Sequence, residues 1–166
     1  MGTTIRILCN NCYKTPPTEK PKFKKNDNSC ISVDLGIGFM FSPHNVFFGY
    51  AEKPFIYSLI KDKKITLEVK KLLLAGATPG EDYSIDIYYC DNCKAVETKF
   101  FFSLVQNEKI YIPTYKCCFC ENELRRIYNA DDSDNYDDIE ELQKLNILCK
   151  KCGGNDFTID LEGYWD

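Results

Sequence analysis

Four pairs of cysteines, each with two residues between them, constrain this chain more than any other feature. The pairs lie at Cys9–Cys12, Cys90–Cys93, Cys117–Cys120 and Cys149–Cys152. A C-x-x-C segment, or knuckle, turns tightly enough to direct both sulfurs at one ion, and two knuckles complete the tetrahedral thiolate shell of a structural zinc site. The sequence therefore predicts two Zn²⁺ ions held by these eight cysteines. Iron uses the same ligand set and is the alternative.

The compartment expected for this chain is one that keeps thiols reduced. It carries ten cysteines in 166 residues. Its N-terminal residues MGTTIRILCNN contain a lone Arg6 and lack the long apolar run of a secretory signal, which argues against a disulfide framework. No apolar run reaches the length needed to cross a bilayer. We therefore expect a cytoplasmic protein without membrane contact.

The charge balance of the chain limits its partners. The formal net charge is −4 at pH 7, and eight thiolates with two Zn²⁺ would lower it to about −8. Such a protein is a poor general binder of nucleic acid unless its cations are clustered. One cluster exists in the loop 14–25, with Lys14, Lys20, Lys22, Lys24 and Lys25. This loop could contact nucleic acid, or it could be solvated or lie against the acidic stretch 130–142.

The pattern between the knuckles favours an α+β fold of small antiparallel β units. Strand-like segments flank each knuckle, as in YSIDIYYC before Cys93 and VETKFFFSLV after it. The region at about 42–78, between the first and second knuckles, is instead helical in pattern. Its clearest helix is predicted over Leu67–Ala75, with Thr66 as the N-cap and Gly76 at the stop. We expect two zinc-ribbon units with this helical insertion.

The sequence allows two ways of pairing the knuckles. In the sequential scheme, the first two knuckles form one site and the last two form the other. In the nested scheme, the hairpin after Cys93 returns to Cys117, and the first and last knuckles meet. We favour the sequential scheme because each site then forms from neighbours in the chain. It implies units at 1–116 and 117–166, or one integrated domain.

The remaining thiols and the only histidine have simple interpretations. Cys118 fills a variable position inside a knuckle, and Cys30 begins an apolar strand as a buried thiol. A site formed by Cys9, Cys12, Cys30 and His44 would also be legitimate zinc chemistry, but it would leave Cys90 and Cys93 without partners. No metalloprotease, deaminase, P-loop or nucleophile-elbow motif is present. We therefore expect no enzymatic activity.

The knuckles, together with LGIGFMFSPHNVFFG after the first and IYYCDNC at the second, resemble a group of uncharacterised bacterial zinc-ribbon proteins with rubredoxin-like or ribbon-like sites. The resemblance covers most of the chain and implies a small cytosolic zinc-binding protein without an established activity. In those bacterial proteins the knuckles usually read C-P-x-C-G. Here only Cys152 is followed by glycine, while Tyr13, Lys94 and Glu121 hold that position elsewhere.

The function that these observations favour is binding of a protein partner. Structural zinc ribbons would present the helical insertion and exposed aromatic residues as the contact surface. Phe100, Phe101, Phe102 and Tyr111 could form a stacking platform, although alternation along a strand places part of this set in the core. The alternatives are a nucleic-acid-binding ribbon that uses the loop 14–25 and a thiol redox switch that releases zinc.

Overall fold

Two antiparallel sheets and a few helices form the described part of this computed structural model, which comprises residues 2–12, 30–35, 46–47, 56–127, 140 and 142–165. In chain order the elements are β1 (Gly2–Cys9), β2 (Cys30–Leu35), α1 (Ile56–Ile60), α2 (Lys63–Leu74), β3 (Thr78–Tyr89), β4 (Val96–Gln106), β5 (Lys109–Tyr111), β6 (Arg125–Arg126) and β7 (Phe157–Trp165). One sheet has the order β2-β1-β7 and the other β5-β4-β3-β6. The expected mixture of helices and antiparallel strands is confirmed.

The long hairpin β3–β4 dominates the four-stranded sheet and places the second knuckle at its tip. Tyr89 pairs with Val96, so the segment 90–95 connects the two strands. At the far end of β4, Asn107 and Glu108 both have positive φ values, 49° and 62°. This is the two-residue turn that matches the twist of a β-hairpin. This turn starts the chain back toward the third knuckle.

The three-stranded sheet brings the two ends of the chain together. β1 is its central strand and pairs antiparallel with both β2 and β7. Cys9, the last residue of β1, lies opposite Phe157, the first residue of β7. The first knuckle follows β1 and the fourth knuckle precedes β7. The sheet therefore holds these two knuckles side by side.

The helix α2 begins one turn earlier than predicted. Asp62 is its N-cap, and its carboxylate accepts hydrogen bonds from the N–H groups of Lys64 (2.8 Å) and Ile65 (3.1 Å). Thr66 lies within the first turn, where its hydroxyl donates to the Asp62 carbonyl at 2.6 Å. Threonine mid-helix can satisfy its hydroxyl in this way, which removes the need for it to cap. Gly76, with a φ of 86°, follows the helix as predicted.

Two apolar clusters fix the sheets and helices in place. One packs α1, α2, Val46 and Phe47 against β3 and β4. The other joins the two sheets through Ile5 and Ile7 of β1 and Ile87 and Tyr89 of β3, among other residues. Phe100 and Phe102 are buried in the first cluster, which confirms that alternation along the strand places part of this aromatic set in the core. Within the described residues, no helix has the length and apolar character to cross a membrane.

Three segments with a strand-like sequence pattern form a shorter strand than the pattern covers, or no strand. β5 ends at Tyr111 although the pattern IYIPTYKC runs to Cys117, and β6 has two residues where ELRRIY has six. LNIL before Cys149 forms no strand. Beyond the end of β5, the Tyr115 side chain is buried and its hydroxyl donates to the Phe100 carbonyl at 2.6 Å. Most of the acidic stretch lies outside the described residues.

Candidate metal centres

Eight cysteine sulfurs converge into two groups of four. The first centre consists of Cys9, Cys12, Cys149 and Cys152, and the second consists of Cys90, Cys93, Cys117 and Cys120. All four sulfurs of each centre lie within 4.8 Å of one another. In the first centre the Cys9 and Cys152 sulfurs are 3.6 Å apart and the Cys12 and Cys149 sulfurs 3.7 Å apart. In the second centre the Cys90 and Cys120 sulfurs are 3.4 Å apart and the Cys93 and Cys117 sulfurs 3.5 Å apart. Each predicted ligand is thus placed in a four-sulfur group.

These separations fit one ion with four thiolate ligands. A tetrahedron with Zn–S bonds of about 2.3 Å has sulfurs about 3.8 Å apart along each edge. A disulfide would require about 2.05 Å. In a cluster of four irons each thiolate binds a different metal atom, which needs a wider shell. The donor set and its size therefore suit a single thiophilic cation in each centre.

The knuckles pair in the nested scheme, so the sequential pairing that we favoured is wrong. β1 pairs with β7 across almost the whole length of the chain, and this pairing brings Cys9 and Cys12 to Cys149 and Cys152. The division into units at 1–116 and 117–166 stays a prediction. Each four-sulfur group takes two cysteines from either side of that division.

The two centres have a common arrangement relative to their strands. In each centre one knuckle follows a long strand, β1 or β3, and the other precedes a strand that pairs antiparallel with it, β7 or β6. In the first centre the Asn10 N–H also donates to the Asp156 carbonyl at 2.9 Å, which extends the pairing into the knuckles. Strand pairing thus determines where the sulfurs meet.

A repeated backbone turn shapes the second, third and fourth knuckles. The N–H of the residue after the second cysteine donates to the carbonyl of the first cysteine, at 2.8 Å, 2.9 Å and 2.8 Å. That residue is Lys94, Glu121 or Gly153, and its φ is 59°, 60° or 73°. Only glycine adopts this left-handed conformation without steric cost. The first knuckle has the related Cys12 N–H to Cys9 carbonyl bond at 3.2 Å, and Tyr13 lies outside the described residues.

This conformation predicts a stabilising substitution. Glu121→Gly is expected to raise the free energy of unfolding of the metal-loaded protein by about 1 kcal/mol, because it removes the steric cost of the left-handed backbone. Denaturant titration at fixed free metal concentration measures the change. Glu123→Gly is the matched control: Glu123 is also exposed but lies in the bridge with Lys116, so its replacement should destabilise. If the Glu121→Gly protein were less stable than wild type, the proposed steric cost of the left-handed backbone at Glu121 would be contradicted.

Hydrogen-bond donors surround the sulfurs. The N–H groups of Phe119 and Gly154 donate to the sulfurs of Cys117 and Cys152, each at 3.4 Å. The Asn122 side-chain amide donates to the Cys120 sulfur, also at 3.4 Å. Donors of this kind help to carry the negative charge that four thiolates concentrate in a small volume. Asn122 could not have been selected from the sequence, because its role depends on the turn that follows Cys120.

The pKa values differ between the inner and outer sulfurs. Burial is the main cause that raises the pKa of Cys9, Cys90 and Cys117, and it raises the pKa of Cys12 to about 12. Hydrogen bonding from the Asn122 side chain lowers the pKa of Cys120 to about 5. The Gly154 N–H lowers the pKa of Cys152 to about 7. Each centre therefore has a sulfur whose thiolate form is favoured by hydrogen bonds from the protein, Cys152 in the first centre and Cys120 in the second.

The centres touch each other through their knuckles. The Leu148 N–H donates to the Lys94 carbonyl at 2.9 Å, and the Lys150 ammonium donates to the Cys93 carbonyl. The same ammonium lies 5.5 Å from the centre of the Phe119 ring. A cavity of about 290 Å³ adjoins this contact, with Phe119 and Lys150 in its wall. The fourth knuckle thus packs directly on the second and third knuckles of the other centre.

Among the other residues singled out in the sequence, the structure describes the side chain of Cys118, which lies outside these centres. Cys118 is exposed, and its N–H donates to a Glu97 carboxylate oxygen at 2.9 Å. Cys30 lies in β2, but its side chain is outside the described residues, as are His44 and the loop 14–25. Cys9 and Cys12 meet the fourth knuckle, and the alternative site with Cys30 and His44 stays untested.

Comparison with models of known protein families, with curated proteins and with solved structures finds no match to this chain. The resemblance to bacterial zinc-ribbon proteins stays a prediction that rests on the knuckles. The function is therefore inferred from the geometry of the two centres and from the surface that they support.

Proposed function

We propose that this protein is a zinc-binding protein whose two Zn(Cys)₄ centres are structural zinc ribbons that support a protein-interaction surface. The observation that carries the proposal is the closure of both shells. Each consists of four thiols within 4.8 Å of one another, and a structural zinc site uses four protein ligands whereas a catalytic one keeps an open position. The first centre would hold its ion through Cys9, Cys12, Cys149 and Cys152, and the second through Cys90, Cys93, Cys117 and Cys120.

A structural role also agrees with where the centres lie. Cys90 and Cys117 belong to the same buried cluster as Phe100 and Tyr115, so an ion there would join the hairpin tip to the segment that covers it. Bound zinc would supply cross-linking and charge neutralisation, and its binding free energy would add to the stability of the fold. A non-enzymatic protein of the cytoplasm, where thiols stay reduced, fits this chemistry.

Purified protein is expected to contain two zinc ions per chain. Elemental analysis under reducing conditions measures the metal and its amount, and X-ray absorption should show four sulfur neighbours at about 2.3 Å. Two irons in place of zinc would keep the structural role and correct the metal. A folded, reduced and metal-free protein would overturn the proposal.

The thiol redox switch is a second candidate because one sulfur is accessible. Cys152 is exposed, and its sulfur is within 3.6 Å of the Cys9 sulfur. Oxidation of thiolates to a disulfide would remove ligands and release the ion. Zinc content that is unchanged after mild peroxide treatment decides for the structural role, whereas reversible loss of one ion decides for the switch.

A further inference from the structure

One face of α2 consists entirely of exposed lysines and leucines. At 100° per residue, six side chains lie within an arc of about 120°. We call this set the lysine–leucine face: Lys63, Lys64, Leu67, Lys70, Lys71 and Leu74. Leu67 is 61% exposed and Leu74 is 80% exposed, and seven residues place them on the same side of the helix, about 10 Å apart.

The opposite face already anchors the helix. Ile65 and Val69 are buried in the apolar cluster that packs α2 on the sheet. Asp62 caps the first turn, and Glu68 accepts a hydrogen bond from the Tyr111 hydroxyl at 3.0 Å. The fold therefore uses the other sides of α2 and does not need the leucines of the lysine–leucine face.

The charges of this face have no ion-pair partner among the described residues. None of its four lysines forms an ion pair with a described residue. The helix dipole favours Lys71 in the last turn but disfavours Lys63 and Lys64 in the first. Concentration of cations on one helix face is unexpected in a chain with a formal net charge of −4. Within the part of the chain that the structure describes, both the leucines and the lysines of this face are thus available to a partner.

We propose that the lysine–leucine face docks an acidic amphipathic segment of a protein partner; this inference rests on the proposed protein-interaction function and names the chemistry of the partner. Lysines at 63, 64, 70 and 71 complement carboxylates, and the two leucines between them contact apolar side chains of the segment. Aliphatic side chains at the centre of the face favour a protein over nucleic acid, whose phosphates would be read by the lysines alone.

A designed peptide tests this docking. The probe is a fluorescent helical peptide of glutamate, alanine and leucine, with leucines at i, i+4 and i+7, titrated by anisotropy with the full zinc-loaded chain. We expect binding that weakens with salt because of the lysines. Leu67→Ser/Leu74→Ser and Lys70→Glu/Lys71→Glu should each weaken it about tenfold or more, since apolar burial and charge pairing both contribute.

The matched control is Lys109→Glu/Ile110→Ser, which changes an exposed lysine and an exposed isoleucine on β5 and should leave binding unchanged. Equal binding of a peptide with alanine in place of leucine would overturn the proposal. So would tighter binding of a single-stranded oligonucleotide that the leucine variants do not weaken. Zinc content measured on the same samples separates the structural-zinc proposal from the docking proposal. A protein that holds two zinc ions but does not bind the peptide rejects the docking and leaves the structural zinc proposal standing.

Discussion

Cys117→Ser is expected to abolish the second metal centre, whereas Cys118→Ser leaves both centres intact. The two residues are neighbours in one knuckle, but Cys117 is buried among the four sulfurs of the centre and Cys118 is exposed outside it. Elemental analysis should give one zinc per chain for Cys117→Ser and two for Cys118→Ser. Circular dichroism and thermal unfolding then show which part of the fold is lost.

The expected loss of stability in Cys117→Ser is large. Structural zinc binding contributes about 10–16 kcal/mol in small metal-dependent domains, and the whole stability of a typical domain is about 5–15 kcal/mol. Cys117 also packs in the cluster that holds Tyr115 and Phe100. We therefore expect Cys117→Ser to lose the cooperative transition of the cluster that packs α2 on the sheet. The first centre uses none of these four cysteines, so its ion should remain.

Two results would contradict this account of the knuckle. If Cys117→Ser retained two ions and a wild-type transition, the sulfurs would meet without serving as ligands. If Cys118→Ser lost an ion, Cys118 would be a metal ligand. The assignment of the ligands in the third knuckle would then be wrong.

The local features of the centres were predictable because they depend on short segments. The C-x-x-C spacing identified all eight cysteines that converge. Lys94 and Glu121 follow the second cysteine of their knuckles, where the bacterial zinc-ribbon proteins usually have glycine. Both residues have left-handed φ values, 59° and 60°. The strands before Cys9 and Cys90 followed from alternating apolar residues.

The long-range features were not predictable because they depend on which distant segments pair. Nothing in the local pattern of β1 indicates that its partner is β7, near the other end of the chain. Asn122 and Lys150 acquire their contacts with Cys120 and Cys93 only after the knuckles have met. The same reason explains why Asp86 and Arg126, which lie far apart in sequence, gave no signal of the ion pair that they form.

Loss of the Asp86–Arg126 ion pair is expected to lower the free energy of unfolding by a large amount. Asp86 is fully buried; its carboxylate accepts from the Ser84 hydroxyl and from the Arg126 guanidinium, each at 2.5 Å. Arg126→Ala leaves this carboxylate with only the hydroxyl, and we expect a loss of about 3–5 kcal/mol in the free energy of unfolding at neutral pH. The guanidinium also lies 3.4 Å from the centre of the Phe101 ring, so part of this loss is packing.

The pH dependence of the loss distinguishes an unpaired charge from lost packing. Burial raises the pKa of Asp86 even with Arg126 present, and Arg126 acts in the opposite direction. Its removal should therefore raise that pKa further. A carboxyl with a raised pKa in the folded state is protonated there at a pH where the unfolded chain is ionised, so stability falls as pH rises through the folded pKa. The deficit of Arg126→Ala relative to wild type should therefore shrink as the pH falls from neutral through the folded-state pKa of Asp86.

Denaturant titrations at saturating zinc measure this difference at each pH, with wild type and variant compared under the same conditions so that loss of zinc affects both. Arg125→Ala is the matched control on β6, because its ion pair with Asp91 is exposed and separated by 3.3 Å; it should cost less than about 1 kcal/mol. The double variant Asp86→Ala/Arg126→Ala should recover part of the loss, since it leaves no buried charge. An Arg126→Ala deficit that equals the Arg125→Ala deficit, or one that stays constant with pH, would show that the buried carboxylate does not depend on Arg126.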